Sequence, residues 1–171
     1  MSNIYLPLVN ARLSQVRLLL GAYKEEQGIR QQQLNTALLD AALLQLHFAL
    51  PLICKELAGR LNIKPVSACH SFADIAANHA QADFRSLELE EWLLLEQDGD
   101  SWLGQMEAQA ARVMNPQPVE PKVVKPNDHL IIAVSEPEMV PVRPVTSADI
   151  ANYLRQVEEL LQRQRETLAE Y

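Results

Sequence analysis

The chain has 171 residues, a length that suits one domain and allows a sizeable apolar core to be buried. Its composition, 48% hydrophobic and 22% charged, is typical of a globular protein and excludes a wholly disordered chain. The net charge of −7 repels nucleic-acid phosphates and anionic lipid headgroups, and the sequence has no basic patch that would offset this repulsion. We therefore expect a soluble protein that binds neither nucleic acid nor membranes.

Three features of the sequence predict a cytoplasmic location. The first residues contain no cationic segment followed by an apolar stretch, so we expect no secretory signal. The most apolar stretch, 41–54, is interrupted by polar residues and by Pro51, and it is predicted to fall short of a membrane span. Cys54 and Cys69 are too few for a disulfide framework and are typical of a reducing compartment.

Two long helices are predicted in the first third of the chain. Apolar residues recur at steps of three and four between Leu6 and Lys24, which predicts a first helix that stops by Gly28. A second helix, roughly Arg30 to Arg60, is apolar on most of its circumference and is therefore expected at the centre of the fold. Pro51 predicts a kink or a break in this second helix.

Cap signals mark the remaining helices. The spacing of Ser71 and Asp74 predicts a capping box at the start of a short third helix. A fourth helical stretch begins after Ser86, is interrupted at 98–100 and resumes at the N-cap Ser101. A second capping box at 146–149 opens the last helix, whose apolar seam has the spacing of a heptad repeat. This seam comprises Ile150, Leu154, Val157, Leu161 and Leu168, with Gln164 in the sixth place.

The segment 115–146 contains seven of the ten prolines and cannot be helical. Its centre, 129–134, is an apolar run that predicts a short strand-like segment, either packed on its own bundle, paired with a neighbouring subunit, or disordered. The predicted fold is an all-α bundle of about five helices in a single domain, 1–171. A helical core, 1–114, precedes the proline-rich arm, 115–146, and the last helix, 147–171, packs back on the core, although a dimer exchanging this helix stays open.

Candidate chemical groups occur without the spacing that catalysis or metal binding requires. They are His47, Cys54, Cys69, His70 and His79. No histidine follows a glutamate by three residues, and no Cys-x-x-Cys pair is present, so neither a metal nor another cofactor is predicted. We interpret these five residues as core residues and predict no catalytic residue. The acidic stretch from Glu88 to Glu107 is interpreted as a solvated helix face.

Four segments carry a resemblance to a known family: 47–58 with Cys54-Lys55-Glu56-Leu57-Ala58, 101–103, 130–134 and the ending 165–171. Together they resemble a family of small proteins of unknown function from pseudomonads and related proteobacteria. The resemblance spans most of the chain and implies a bacterial cytoplasmic origin. It implies no activity and no catalytic residues.

The functional prediction is a non-enzymatic module for protein interaction or self-association. It rests on the long arm and on the lack of a catalytic constellation. The alternative is a small-molecule-binding helical protein, or an unrecognised enzyme, with a pocket between helices that uses His47 or His79 as its polar group.

Overall fold

The computed structural model describes residues 3–25, 28–79, 86–116 and 144–167, which form six α-helices and no β-strand. The helices are α1 (Tyr5–Ala22), α2 (Ile29–Arg60), α3 (Phe72–His79), α4 (Leu87–Gln97), α5 (Trp102–Met114) and α6 (Ser147–Thr167). The predicted all-α class is confirmed. There are six helices rather than about five, because the turn at 98–100 separates α4 from α5. Most of the predicted arm, including the strand-like segment 129–134, lies outside the described residues.

Helices α1 and α2 form an antiparallel hairpin. Near its middle, the Arg12 guanidinium donates to Gln45 Oε1 at 2.6 Å. Near its closed end, Asn35 Nδ2 donates to the carbonyl oxygen of Lys24 at 2.6 Å. The first helix ends at Ala22, earlier than predicted, because the backbone becomes extended at the next residue.

Helix α2 continues without a break through Pro51, so the predicted break is wrong. A proline costs one backbone hydrogen bond, and the neighbouring turns are held by burial against other helices. The helix ends in a Schellman motif, in which the N–H of Ile63 donates to the carbonyl of Ala58 at 2.9 Å. Asn62 adopts a left-handed backbone conformation there, with φ of 55°, which Asn tolerates better than most residues.

Among the described residues, α2 alone is long and apolar enough to cross a membrane, judged by length and composition only. The prediction that this stretch falls short of a span was therefore wrong on those two criteria. The core helix of a globular protein passes the same test, and α2 packs against α1, α3, α5 and α6. In its most apolar 18-residue window 44% of the residues are buried, and most of the others in this stretch are half-buried, with Phe48 exposed.

Polar caps fix the starts of the shorter helices. The capping box predicted for α3 is present: Ser71 Oγ accepts from the N–H of Asp74 at 3.1 Å, and Asp74 Oδ2 accepts from the N–H of Ser71 at 2.9 Å. Ser101 caps α5 by accepting from the N–H of Gly104 at 3.0 Å. A β-carbon at Gly104 would lie 2.6 Å from the carbonyl oxygen of Asp98, so glycine permits this tight turn between α4 and α5.

Trp92 of α4 is fully buried where four helices meet. Phe72 of α3 stacks on its ring with a centroid distance of 4.6 Å. Trp102 of α5 meets the ring edge-on at 6.2 Å, and the indole N–H donates to Gln164 Oε1 of α6 at 3.0 Å. The polar residue in the predicted seam of α6 therefore satisfies the one polar group of the buried indole.

The apolar seam of α6 is buried against α1, α2 and α5 of its own chain. Because α6 contacts α1, α2 and α5, and also α4 through Trp92 and Glu91, its buried surface is wider than the predicted seam. It comprises Ile150, Tyr153, Leu154, Val157, Leu160, Leu161 and Gln164. Leu168, which was also predicted in the seam, lies outside the described residues.

A buried ion cluster joins α6 to α2. The side chain of Glu56 is 1% exposed and lies at a core position of α2. Arg165 of α6 donates to both of its carboxylate oxygens, from Nε at 2.9 Å and from Nη2 at 2.8 Å, and Arg60 donates to the same carboxylate. Arg165 also donates to Asn10 of α1 at 3.1 Å. This cluster holds the C-terminal half of α6 against the hairpin.

Candidate functional site

The outer face of the α1–α2 hairpin is the most apolar exposed surface among the described residues of α2. Phe48 is 44% exposed and Leu34 is 51% exposed, although both lie in an otherwise well-packed helix. Between and beside them lie half-buried residues on the same side of α2, at steps of three and four: Leu38, Ala41, Leu44, Gln45 and Leu52. We call this surface the hairpin face. An all-round apolar helix is normally enclosed by other elements, and here one side is left open to solvent.

Helix α1 extends the hairpin face on one side. Leu8 is 49% exposed, and Leu19 is partly buried against the core. Between them, the hydrogen bond from Arg12 to Gln45 places a polar pair in the middle of the surface. The arrangement of large apolar side chains around a small polar group is typical of protein interfaces, which combine buried anchors with a few orienting hydrogen bonds.

A second candidate is a cavity of about 160 Å³ under α2. It brings together three residues predicted to lie in the core, His47, Cys54 and His70, with two residues of the acidic stretch, Glu96 and Glu107. His47 Nδ1 lies 3.6 Å from Glu107 Oε1, a distance too long for a hydrogen bond. Within the described residues, this buried nitrogen has no hydrogen-bond partner. The predicted common helix face of His47 and Cys54 is therefore observed, and it faces a small cavity.

The electrostatics of the cavity make its thiol unreactive. Burial raises the pKa of Cys54, and the nearby Glu96, Cys69 and Asp74 raise it further, so Cys54 stays protonated at neutral pH. The pKa of Cys69 is also raised, by burial and then by Asp74. Both cysteines are free and buried. The thiolate that nucleophilic catalysis or metal binding requires is thus disfavoured at both positions.

One carboxylate in the cavity was missed by the sequence analysis. Burial raises the pKa of Glu96, and repulsion from Glu107 and Asp74 raises it further. Glu96 belongs to the stretch interpreted as a solvated face, and that interpretation is wrong for this partly buried residue, whereas the Glu107 side chain is 42% exposed. The sequence contains no local signal for the burial of Glu96, because it depends on how α4 and α5 fold back over α2.

The described residues contain no group of three or more His, Cys, Asp or Glu side chains placed to hold a metal ion. His47, Cys54 and His70 line the cavity, and His70 is exposed, so its interpretation as a core residue was wrong. His79 is the last residue of α3, and the placement of its side chain lies outside what the structure describes. The arrangement therefore resembles a small polar void under a helix more than an organised reaction site.

A shallow groove of about 520 Å³ lies between α2 and α5. Leu39 and Val113 contribute apolar walls, and burial raises the pKa of Asp40 at its rim. Pro116 and Pro144, which flank the undescribed residues 117–143, also line this groove.

The fold and these sites describe an all-α protein with an open apolar helix face and no organised reaction centre in its described part. The family model described as "Family of unknown function (DUF6586)" matches residues 7–171, and the chain belongs to this family. No curated protein and no solved structure matches the chain. The predicted membership of a family of unknown function is confirmed.

Proposed function

We propose that this protein is a non-enzymatic interaction module whose hairpin face binds a protein surface. The observation that carries the proposal is the exposure of Leu34 and Phe48 on a helix that is otherwise a core helix. Fully burying a Leu or Phe side chain stabilises a complex by about 1.5 to 3 kcal/mol. Since each of these side chains is about half exposed, covering them would contribute roughly half of that value per residue.

The functional prediction from the sequence rested on the long arm, most of which lies outside the described residues. A dimer that exchanges the last helix was left open, but the described apolar residues of this helix are buried on α1, α2 and α5 of its own chain. On the described part of α2, the hairpin face combines the exposed Leu34 and Phe48 with half-buried apolar neighbours. The binding function is therefore assigned to α2, with Leu8 of α1 at its edge.

The cavity beneath α2 supports an enzymatic or small-molecule-binding function less well than the hairpin face supports protein binding. Its volume of about 160 Å³ is below the roughly 300 to 1,000 Å³ of typical ligand pockets. The raised pKa of Cys54 keeps the thiol protonated, and His47 makes no hydrogen bond to Glu107 at 3.6 Å. We propose that the protein requires no metal or other cofactor.

We propose that the protein is located in the cytoplasm of a bacterium and binds neither nucleic acid nor membranes. Two free, buried cysteines, Cys54 and Cys69, are typical of a reducing compartment. The net charge of −7 opposes binding to phosphates and anionic lipids. We further propose a single domain, 1–171, with a core (1–114), an arm (115–146) that packs on its own bundle near the groove lined by Pro116 and Pro144, and a last helix (147–171).

Affinity capture with matched variants tests the proposal. A tagged chain is expressed beside the untagged wild-type chain, and proteins retained in stoichiometric amounts are identified by mass spectrometry. Phe48→Glu places a charge on the hairpin face, whereas Leu87→Glu places one at the start of α4, where Leu87 is 75% exposed and a carboxylate suits the helix dipole.

We expect a stoichiometric protein to be retained by the wild type and by Leu87→Glu and to be lost with Phe48→Glu. Circular dichroism and thermal unfolding check that both variants are folded. If the wild type retains no stoichiometric protein, or if folded Phe48→Glu retains the same protein equally well, the hairpin face is not the binding surface.

A further inference from the structure

We infer that the hairpin face binds an amphipathic helix of a partner protein, whose apolar residues cover Leu34 and Phe48 and whose central Asp or Glu pairs with Arg12. This inference rests on the proposed function and names the chemical class of the partner. The partner helix lies lengthwise in the groove between α1 and α2, which is a recurring mode of recognition at apolar grooves of helical proteins.

The first of two apolar clusters on the hairpin face lies on one side of Arg12. The hydrogen bond from Arg12 to Gln45 shows which residues of the two antiparallel helices lie at the same level. Leu8 precedes Arg12 by four residues, and Phe48 follows Gln45 by three, so Leu8 and Phe48 lie about one turn away in the same direction. Both side chains are large, apolar and about half exposed.

The second apolar cluster lies on the other side of Arg12. Leu19 follows Arg12 by seven residues, and Leu38 precedes Gln45 by seven, so these two leucines lie about two turns away at one level. Leu34 lies about one turn further along α2 and is 51% exposed. The hairpin face therefore presents two apolar clusters with a polar pair between them.

A helix fits this surface better than a strand does. The backbone hydrogen bonds of α1 and α2 form within each helix, so the hairpin face has no sheet edge to which a strand could be added. A helix satisfies its own backbone groups and presents one apolar stripe. Leu34 and Phe48 are fourteen residues apart, about 21 Å along α2, and about four turns of a partner helix cover this length.

The charge of Arg12 determines which residue the partner needs at the centre of its stripe. Arg12 is half-buried, its hydrogen-bond partner Gln45 is neutral, and it forms no ion pair with a carboxylate in the described ranges. A wholly apolar partner would bury this guanidinium without a counter-charge, which is costly. A carboxylate on the partner would instead accept a charge-assisted hydrogen bond from Arg12.

The distribution of charge favours an acidic partner helix over a second copy or a lipid surface. Residues 1–60 contain six Lys and Arg and four Asp and Glu, a net charge of +2, whereas residues 61–171 carry −9. Charges beyond about 8 Å are screened at physiological salt, so the charge on the face itself dominates.

A second copy lacks the carboxylate that Arg12 needs. Two copies joined through this face would bring two Arg12 side chains into one interface, and the hairpin face has no carboxylate to pair with them. Helices that lie on membranes usually carry many Lys and Arg on their polar side, and this face carries Arg12 alone.

Synthetic helical peptides test the inference, because their central residue can be varied alone. Each peptide has about 18 residues, a leucine stripe at helical spacing, and Glu, Gln or Lys at the centre of the stripe. Fluorescence anisotropy gives the affinity of each labelled peptide for the wild type, Arg12→Glu, Arg12→Lys and Phe48→Glu. Leu87→Glu is the control for a carboxylate added outside the face, and circular dichroism checks that every variant is folded. Gln45 can donate its amide N–H to the new glutamate of Arg12→Glu.

We expect the wild type, Arg12→Lys and Leu87→Glu to bind the Glu peptide about tenfold more tightly than the Lys peptide, with the Gln peptide between them. Arg12→Glu should reverse this order, and Phe48→Glu should lose binding of all three peptides. The inference is overturned if the wild type does not bind the Glu peptide, or if folded Arg12→Glu keeps the wild-type order.

Light scattering and co-sedimentation with phosphatidylglycerol vesicles test the other occupants of the face. A wild-type dimer that becomes a folded monomer with Phe48→Glu would assign the face to a second copy and overturn the inference. Vesicle binding that Phe48→Glu abolishes would assign the face to a membrane, with the same consequence.

Affinity capture distinguishes failure of this inference from failure of the proposed function. A protein that is lost with Phe48→Glu but retained equally well by folded Arg12→Glu would overturn the acidic helix and leave the proposed function standing. Retention by both folded variants would overturn both.

Discussion

Replacing Arg165 with alanine tests whether the buried ion cluster holds α6 on the hairpin. The substitution removes both hydrogen bonds to the Glu56 carboxylate, at 2.9 and 2.8 Å, and leaves this 1% exposed side chain with Arg60 as its remaining ion-pair partner. Removing one partner of a buried ion pair costs about 3 to 5 kcal/mol. Because Arg165 is 25% exposed and Arg60 remains, we expect the lower end, about 3 kcal/mol.

Urea unfolding followed by tryptophan fluorescence measures this loss in the free energy of unfolding. A loss of about 3 kcal/mol corresponds to a fall of roughly 6 to 12 °C in Tm for a domain of this size. Arg155→Ala is the matched control, since its ion pair with Glu159 is exposed on both sides and contributes about 0.5 kcal/mol or less.

A second variant distinguishes the contribution of the buried charges to stability from the contribution of side-chain packing at the same positions. Glu56→Leu combined with Arg60→Met and Arg165→Met replaces the whole cluster by apolar groups of similar size, and such replacements are often neutral or stabilising. We therefore expect the triple variant to recover most of the stability that Arg165→Ala loses. The reasoning is refuted if Arg165→Ala costs no more than Arg155→Ala.

Three further predictions follow from the buried polar groups. Trp92→Phe removes the donor to Gln164 Oε1 and should cost about 1 to 3 kcal/mol in urea unfolding followed by circular dichroism; an unchanged midpoint would contradict the buried hydrogen bond. The folded-state pKa of Glu96 is raised, so the folded protein binds more protons than the unfolded chain between the two pKa values, and stability falls as pH rises through that window. Glu96→Gln should therefore be more stable than the wild type at pH 7, and this advantage should disappear below the unfolded pKa of about 4.3, whereas the exposed control Asp100→Asn should show no such gain at pH 7. Burial and the raised pKa of Cys54 predict that it reacts with a disulfide reagent only in denaturant, and fast labelling of the native protein would show an accessible thiol instead.

Local signals in the sequence were enough to locate the helices. The capping boxes at Ser71 and at Thr146 form as predicted, because they depend on residues only three positions apart. The spacing of the α6 seam likewise predicted Ile150 and Val157 as buried residues. The four-residue spacing of Glu159 and Arg163 would also permit an ion pair on the surface of α6, but Glu159 pairs with Arg155, and Arg163 reaches Glu91 on α4.

Features that depend on distant contacts could not be predicted. Glu56 and Arg165 are 109 positions apart, and the only local signal was a charged residue on the apolar side of α2. Glu96 joins the cavity because α4 and α5 turn back over α2, which the pattern of charges does not reveal. Apolar residues around most of the circumference of α2 predicted a central helix. The same pattern also fits a helix with one side in an interface, and the 44% exposure of Phe48 agrees with that placement.

Capture of a protein by the wild type and by the two matched variants tests the account most directly. The wild type and Leu87→Glu should retain the same protein in stoichiometric amounts, and a folded Phe48→Glu variant should lose it. The loss is expected because a carboxylate on the hairpin face would be buried without a partner in the complex. A folded Phe48→Glu variant that retains this protein as well as the wild type does would contradict the account.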